Sequence, residues 1–209
     1  MANTSAPFGL RPVRNANGTP WTGKPGHYYL PTSDTHVVFI GDPVDVVGTS
    51  NTTEVVCLGG TFPPGTLQTV THATLADTNF VSGVVVGFEA VTRDSTTYRE
   101  ASTERVALVA DDPDLIFEIQ DDGATALTTS SVGLNAIIES GTGSTATGLS
   151  GYTLDTNGTA PSADASNMLV IRGLSKRLNN EVGVYAIWDV VLNTHRFARI
   201  STATGSLGV

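Results

Sequence analysis

The chain of 209 residues holds a single cysteine, so no disulfide can form within it. That residue, Cys57, stands in the apolar run Glu54-Val-Val-Cys-Leu58, which predicts a small buried hydrophobe and not a reactive thiol. Charge is scarce: Asp, Glu, Lys and Arg make up 15% of the chain, against the usual quarter. From Val106 to Val170 there is no Lys or Arg at all. A phosphate-binding surface needs clustered bases, so no nucleic-acid partner is expected. No run approaches the roughly 20 apolar residues of a membrane-spanning helix, so no membrane is expected either. The four histidines, His27, His36, His72 and His195, share no metal-ligand spacing and read as surface or strand-edge residues. Met1-Ala-Asn-Thr-Ser-Ala-Pro7 has neither the charged nor the apolar part of a secretory leader, which predicts folding in a cytoplasm. The Asn-x-Ser/Thr triplets at Asn3, Asn17, Asn51 and Asn157 are then by-products of a Thr-rich composition.

Thr and Gly fill the space that charge leaves. Thr suits pleated surfaces and Gly suits turns and bulges, so the expected class is all-β. Short β-like runs follow one another: His36–Ile40, Val44–Val47, Glu54–Leu58, Thr66–Val70, Phe80–Val91, Arg105–Val109, Asp114–Gln120, Met168–Arg172 and Gly183–Leu192. Turn formers separate them, among them Gly41-Asp-Pro43, Pro63-Pro-Gly65 and Asp122-Gly123. In Asp114–Gln120, Leu115, Phe117 and Ile119 alternate with Ile116, Glu118 and Gln120, which predicts one apolar face. Gly133–Glu139 fits a helical turn or a strand equally. Many short strands between turns predict a single β-barrel or sandwich, jelly-roll-like, over residues 34–209.

Residues 1–33 read as an extended N-terminal arm. Five prolines among four glycines break both helix and central-strand pairing. Yet aromatic and apolar side chains are interspersed, so the arm is expected to lie on its own body or on a neighbour. The arm is +3, residues 34–105 are −6, the central span is −9 and residues 171–209 are +3, giving −9 overall. Opposite patches steer copies together, and a homodimer or homotrimer is expected. The arm residues expected to make inter-subunit contacts are Phe8, Leu10, Arg11, Arg14, Trp21, Lys24 and Tyr28. Deleting the arm is expected to leave the body folded.

Signs of chemistry are few. Gly141-Thr-Gly-Ser-Thr-Ala-Thr-Gly-Leu-Ser-Gly151 lacks the Gly-Lys-[Ser/Thr] ending of a phosphate loop and reads as a flexible loop or β-arm. Neither Ser144 nor Ser150 sits in a Gly-x-Ser-x-Gly elbow. The acidic segment 111–122, with Asp111, Asp112, Asp114, Glu118, Asp121 and Asp122, is the best candidate for a Ca²⁺ site. It lacks the alternating ligands of an EF-hand, and turn chemistry is the preferred reading. No catalytic residue, cofactor or metal is expected. A saccharide-binding module would need an aromatic platform, for which Trp21, Tyr98, Tyr152 and Trp188 are the contributors; Trp188 reads as core.

Ala6-Pro-Phe-Gly-Leu-Arg-Pro-Val13, Gly18-Thr-Pro-Trp-Thr-Gly23 and Gly41-Asp-Pro-Val44 resemble the opening of a tailed-bacteriophage head protein. Gly83–Glu89, Ala110–Gln120 and Gly141–Asp155 are similar to the same family, the capsid decoration or cement proteins. The resemblance spans nearly the whole chain. It implies a non-enzymatic structural protein on the exterior of the capsid of a virion, made in the bacterial host cytoplasm. Such a protein binds the major capsid protein, bridges capsomers and resists internal DNA pressure. The alternatives are a tail or baseplate subunit and a virion carbohydrate-binding β-module.

Overall fold

The computed structural model describes residues 3–75 and 79–198; the last stretch assigned to the body, 199–209, lies outside them. Among the described residues the regular structure is β, apart from one 3₁₀ turn at Thr129–Ser131. An open antiparallel sheet runs β1 (Arg11–Asn15), β9 (Leu115–Gln120), β14 (Ile187–Leu192), β13 (Leu169–Leu174), β10 (Asn135–Ala136). A closed barrel runs β2 (Gly26–Leu30), β6 (Gln68–His72), β3 (Pro43–Ser50), β7 (Gly83–Phe88), β8 (Arg105–Ala110). Two ribbons complete the fold, β4 (Val55–Cys57) with β5 (Gly60–Phe62) and β11 (Ile138–Glu139) with β12 (Thr153–Leu154). The all-β class read from the sequence is the class of the molecule, a sandwich-like body whose strands divide between sheet and barrel. Gly133–Glu139, open between helix and strand, contributes β10 and β11. His36–Ile40 forms no strand and makes only isolated bridges, Val38 to Arg99 and Ile40 to Leu149.

One large core joins the two parts. Leu115, Phe117 and Ile119 of β9 and Trp188, Val190 and Leu192 of β14 pack with Val81, Val84 and Ala110 from the barrel side. The expected alternation of β9 therefore places its apolar set on one face, as period 2 requires. In β7 the same alternation splits neighbours: Val84 joins the large core, while Val85 joins the barrel interior. Trp188 is fully buried, and its indole N–H donates to Asp121 at 3.1 Å. Asp121 also accepts the Ala186 and Gly123 amides, so this buried carboxylate ties the start of β14 to the turn after β9. Cys57 is buried in a small cluster with Val55, Leu67 and Val106, as its surroundings predicted.

The expected extended arm is corrected. Residues 11–15 are edge strand β1, paired with β9. Residues 26–30 are β2, which closes the barrel between β8 and β6. The prolines do not prevent this. Pro12 stands on an edge, beside a register shift between Pro12 and Arg14, where a missing N–H breaks no central ladder. Of the two surfaces on which the arm was expected to lie, this one is its own body.

Candidate functional site

The seven arm residues do not share one surface. Leu10 is 2% exposed and belongs to the large core, and Tyr28 is 7% exposed in the barrel interior; both are withdrawn as interface residues. The Tyr28 hydroxyl donates to Asp111 at 2.7 Å. Burial, then this bond to a carboxylate, raises its pKa. Trp21 is half-buried against the large core, and Lys24 is exposed.

Phe8, Arg11 and Arg14 meet the other face of the sheet. There Glu118 and Asp189 stand opposite each other in register, a like-charge pair that would destabilise the ladder. Arginines supply the counter-charge. Arg11 Nη2 donates to Glu118 Oε2 at 2.5 Å, Arg177 Nη2 donates to the same oxygen at 2.7 Å, and Ser175 donates to Oε1. Arg14 Nη2 donates to Asp189 at 2.7 Å. The Phe8 ring lies 5.1 Å from the Arg11 guanidinium carbon and 5.4 Å from that of Arg177, so both cations rest on it. Farther along, Gln120 accepts the Ala6 amide and donates to the Thr4 and Tyr185 carbonyls. These bonds hold residues 4–14 against the chain's own sheet.

Three distant segments meet where this N-terminal stretch crosses to the barrel. The Leu10 amide donates to the Gly41 carbonyl, and the Ser150 amide to that of Ile40. A Cβ on Gly9 would lie 2.5 Å from the Gly41 oxygen and 2.5 Å from Ser150 Cβ. Both glycines also have positive φ, +70° and +101°, so this close approach needs glycine twice over.

Beside the junction lies a cavity of about 450 Å³. Its walls include Phe39, Asp42, Tyr98, Glu100, Gly143 and Tyr152. Phe39 and Tyr98 stack with ring centroids 5.4 Å apart. The Gly141–Gly151 tract forms one wall and is packed, not a free arm. The Ser144 amide bonds the Leu149 carbonyl, and a Cβ on Gly143 would collide with the Phe39 ring. Asp42 accepts the Phe39 amide at 2.8 Å and the Ser150 hydroxyl. Burial nevertheless pushes its pKa up to about 6. Behind the cavity the Tyr152 hydroxyl and His72 Nε2 are 2.6 Å apart, and the His72 ring stacks on His36. Burial, then the neighbouring His36, pulls His72 down to about 4.

Two of the histidines depart from a surface or strand-edge reading. His195 is buried, with Nδ1 accepting the Phe197 amide at 3.1 Å, and burial pulls it down to about 4. His72 is half-buried at the end of β6. The exposed pair behaves as surface residues do, His27 bonding Glu89 at 3.1 Å and His36 Nδ1 bonding Asp34 at 2.8 Å.

The acidic segment 111–122 does not converge. Asp111 bonds Tyr28, Glu118 is held by arginines, and Asp121 by Trp188. Instead Asp122 meets Glu139 and Asp155, with one ligand oxygen from each within 4.8 Å of the others. This trio could hold a hard cation. Its oxygens already have partners: Asp155 accepts the amides of Asn157, Gly158 and Thr159, and Asp122 those of Ala124 and Thr156. Burial first, then the charges of Asp122 and Asp155, raises the Glu139 pKa. No spacing rule links positions 122, 139 and 155; the pairing of β11 with β12 and the contact of residues 121–122 with Leu154 bring them together.

Compared with family models, with curated proteins and with solved structures, the chain matches none.

Proposed function

We propose that the chain is a structural protein of a tailed-phage head. It binds the outer capsid surface, bridges major capsid proteins, meets copies of itself as dimers or trimers, and catalyses no reaction. The observation that carries this reading is where the family-like segments lie in the fold. Segments 6–13, 41–44, 83–89 and 141–155, far apart in sequence, join through Leu10 to Gly41, Gly41 to Val85 and Ser150 to Ile40. The glycines that carry the resemblance are thus the residues on which the sheet–barrel junction depends. A second support is the body charge: the span without Lys or Arg would repel packaged DNA and suits an external position. Many copies on a symmetric shell also need only modest contacts each, because linked contacts raise effective affinity.

The test is attachment of purified chain to heads assembled without it. Saturable binding at a fixed ratio to the major capsid protein is expected. Labelling found only on tails or baseplates would favour the tail alternative. A saccharide-binding module is the second reading, favoured by the meeting of Tyr98 and Tyr152 at one cavity. A glycan screen giving clear saccharide binding would replace the head reading with it.

A further inference from the structure

We propose that the cavity behind Tyr98 takes a cationic side chain, an arginine or lysine presented by the protein surface on which this chain sits. The identity of that surface rests on the head reading above; the preference for a cation rests on the cavity itself. Three aromatic rings, Phe39, Tyr98 and Tyr152, and two carboxylates, Asp42 and Glu100, line it, and among the described residues no basic one does. Arg99, between Tyr98 and Glu100 in sequence, is turned away. It is fully buried and donates to the carbonyls of Pro31, His36 and Thr103. His72, behind Tyr152, stays neutral above about pH 4. Asp42 therefore lies buried with two hydrogen-bond donors and, among the described residues, no counter-ion; burial raises its pKa although both bonds lower it. A cation entering the cavity would supply that charge, which a neutral ligand would not. The volume falls within the roughly 300–1,000 Å³ of ligand sites and accommodates a long side chain.

A neutral saccharide fits less well. It needs an open ring as a platform, whereas Phe39 is 8% exposed, with Tyr98 stacked on it and Gly143 against it. The cavity is part of the architecture: a side chain at Gly143 would run into Phe39, and one at Gly141 into the Gly151 backbone. Phe39 and Asp42 at its floor are fixed by the turn in which the Phe39 amide donates to the Asp42 carboxylate.

The test titrates isotope-labelled full-length chain with N-acetyl-arginine amide, N-acetyl-lysine amide, the neutral isostere N-acetyl-citrulline amide, and a panel of monosaccharides. Amide shifts at Tyr98, Gly143 and Thr145 are the readout. The two cations are expected to give saturable shifts confined to these residues, at least tenfold tighter than citrulline. Glu100→Gln, on the exposed rim, should weaken them several-fold with the spectrum otherwise unchanged. Asp42→Asn should remove them, its folded state being checked from the dispersion of the same spectrum. Equal binding of citrulline, shifts produced by a monosaccharide, or no response to any probe would each overturn the proposal. Head attachment of Glu100→Gln is measured in parallel. Full attachment by this variant despite its weakened probe binding would overturn the assignment of the partner and leave the head reading standing. Probe binding by a chain that attaches to no head would overturn the head reading and, with it, the source of the side chain.

Discussion

Behind the open sheet lie Trp188, Phe117, Met168 and Tyr152, whereas the buried residues of the barrel interior are five valines, Leu30, Ala107 and one aromatic, Tyr28, with Val46 and Phe88 partly buried against them. The contrast follows from geometry. A five-stranded barrel is too narrow for large side chains, and β-branched valines fill it without losing much rotamer freedom. The space between sheet and barrel is wider and needs rings. On the sheet's other face, arginines neutralise a facing carboxylate pair; Val106 and Tyr29 of the barrel strands pack instead in a small apolar cluster with Val55, Cys57 and Leu67. The sheet thus depends on a few large side chains, and the barrel on closure. One seam of that closure, the parallel pair β2–β6, has only two residue pairs, Tyr28 with Gln68 and Tyr29 with Thr69.

The largest break is deletion of residues 1–33. It removes β1 from the sheet and β2 from the barrel at once, so loss of cooperative folding is expected by circular dichroism, in place of the free-standing body expected from the sequence. A folded, cooperatively melting product would contradict this. Next, Trp188→Ala should cost about 3–5 kcal/mol in denaturant unfolding, because it leaves a cavity and removes a donor from Asp121. Acid comes third and separates the regions. His72 and His195, both on the barrel side, have folded-state pKa values of about 4 against 6.5. The unfolded chain therefore binds protons more readily, and stability is lost as pH falls from 6.5 towards 4. Asp42 works in the opposite direction, since its folded value of about 6 exceeds 3.8 and protonation favours the folded state. Two groups outweigh one, so net acid destabilisation is expected, with barrel amides exchanging before the Trp188 indole N–H. A His195→Gln chain should show a flatter pH profile; an unchanged slope would remove His195 from the explanation.

In the barrel, Val70→Ala should cost about 2 kcal/mol, less than the tryptophan truncation. Equal losses would show that the barrel also concentrates its stability in single side chains. The smallest effect is at the sheet's outer face. Arg11 is 54% exposed, and Glu118 keeps Arg177 and Ser175 without it, so Arg11→Ala should cost less than about 1 kcal/mol in the same denaturant assay.

What could be read from the sequence divides along physical lines. Strands whose signal is local, an apolar alternation between turn formers, were legible: β3, β4, β6, β7, β8, β9, β13 and β14 all fall within or across the expected runs. β1 and β2 were not, because proline content is a local signal whereas an edge position that tolerates Pro12 is set by the partner strand. The Gly141–Gly151 tract read as flexible because glycine permits freedom. Here its glycines permit close contact with Phe39 and with each other's backbone. The cavity draws its walls from residues 37–42, 98–100 and 141–152, and the Asp122, Glu139 and Asp155 trio is equally scattered. Of the four aromatic residues expected to contribute to a ligand platform, Trp21, Tyr98, Tyr152 and Trp188, the cavity brings together Tyr98 and Tyr152.

Cryo-EM of virions carrying the chain tests its attachment most directly. Density matching the open sheet packed on a five-stranded barrel is expected on the outer head surface, seated over junctions between major capsid proteins. Heads that lack this density while purified virions retain the chain elsewhere, or virions that lack the chain altogether, would contradict a head-binding role.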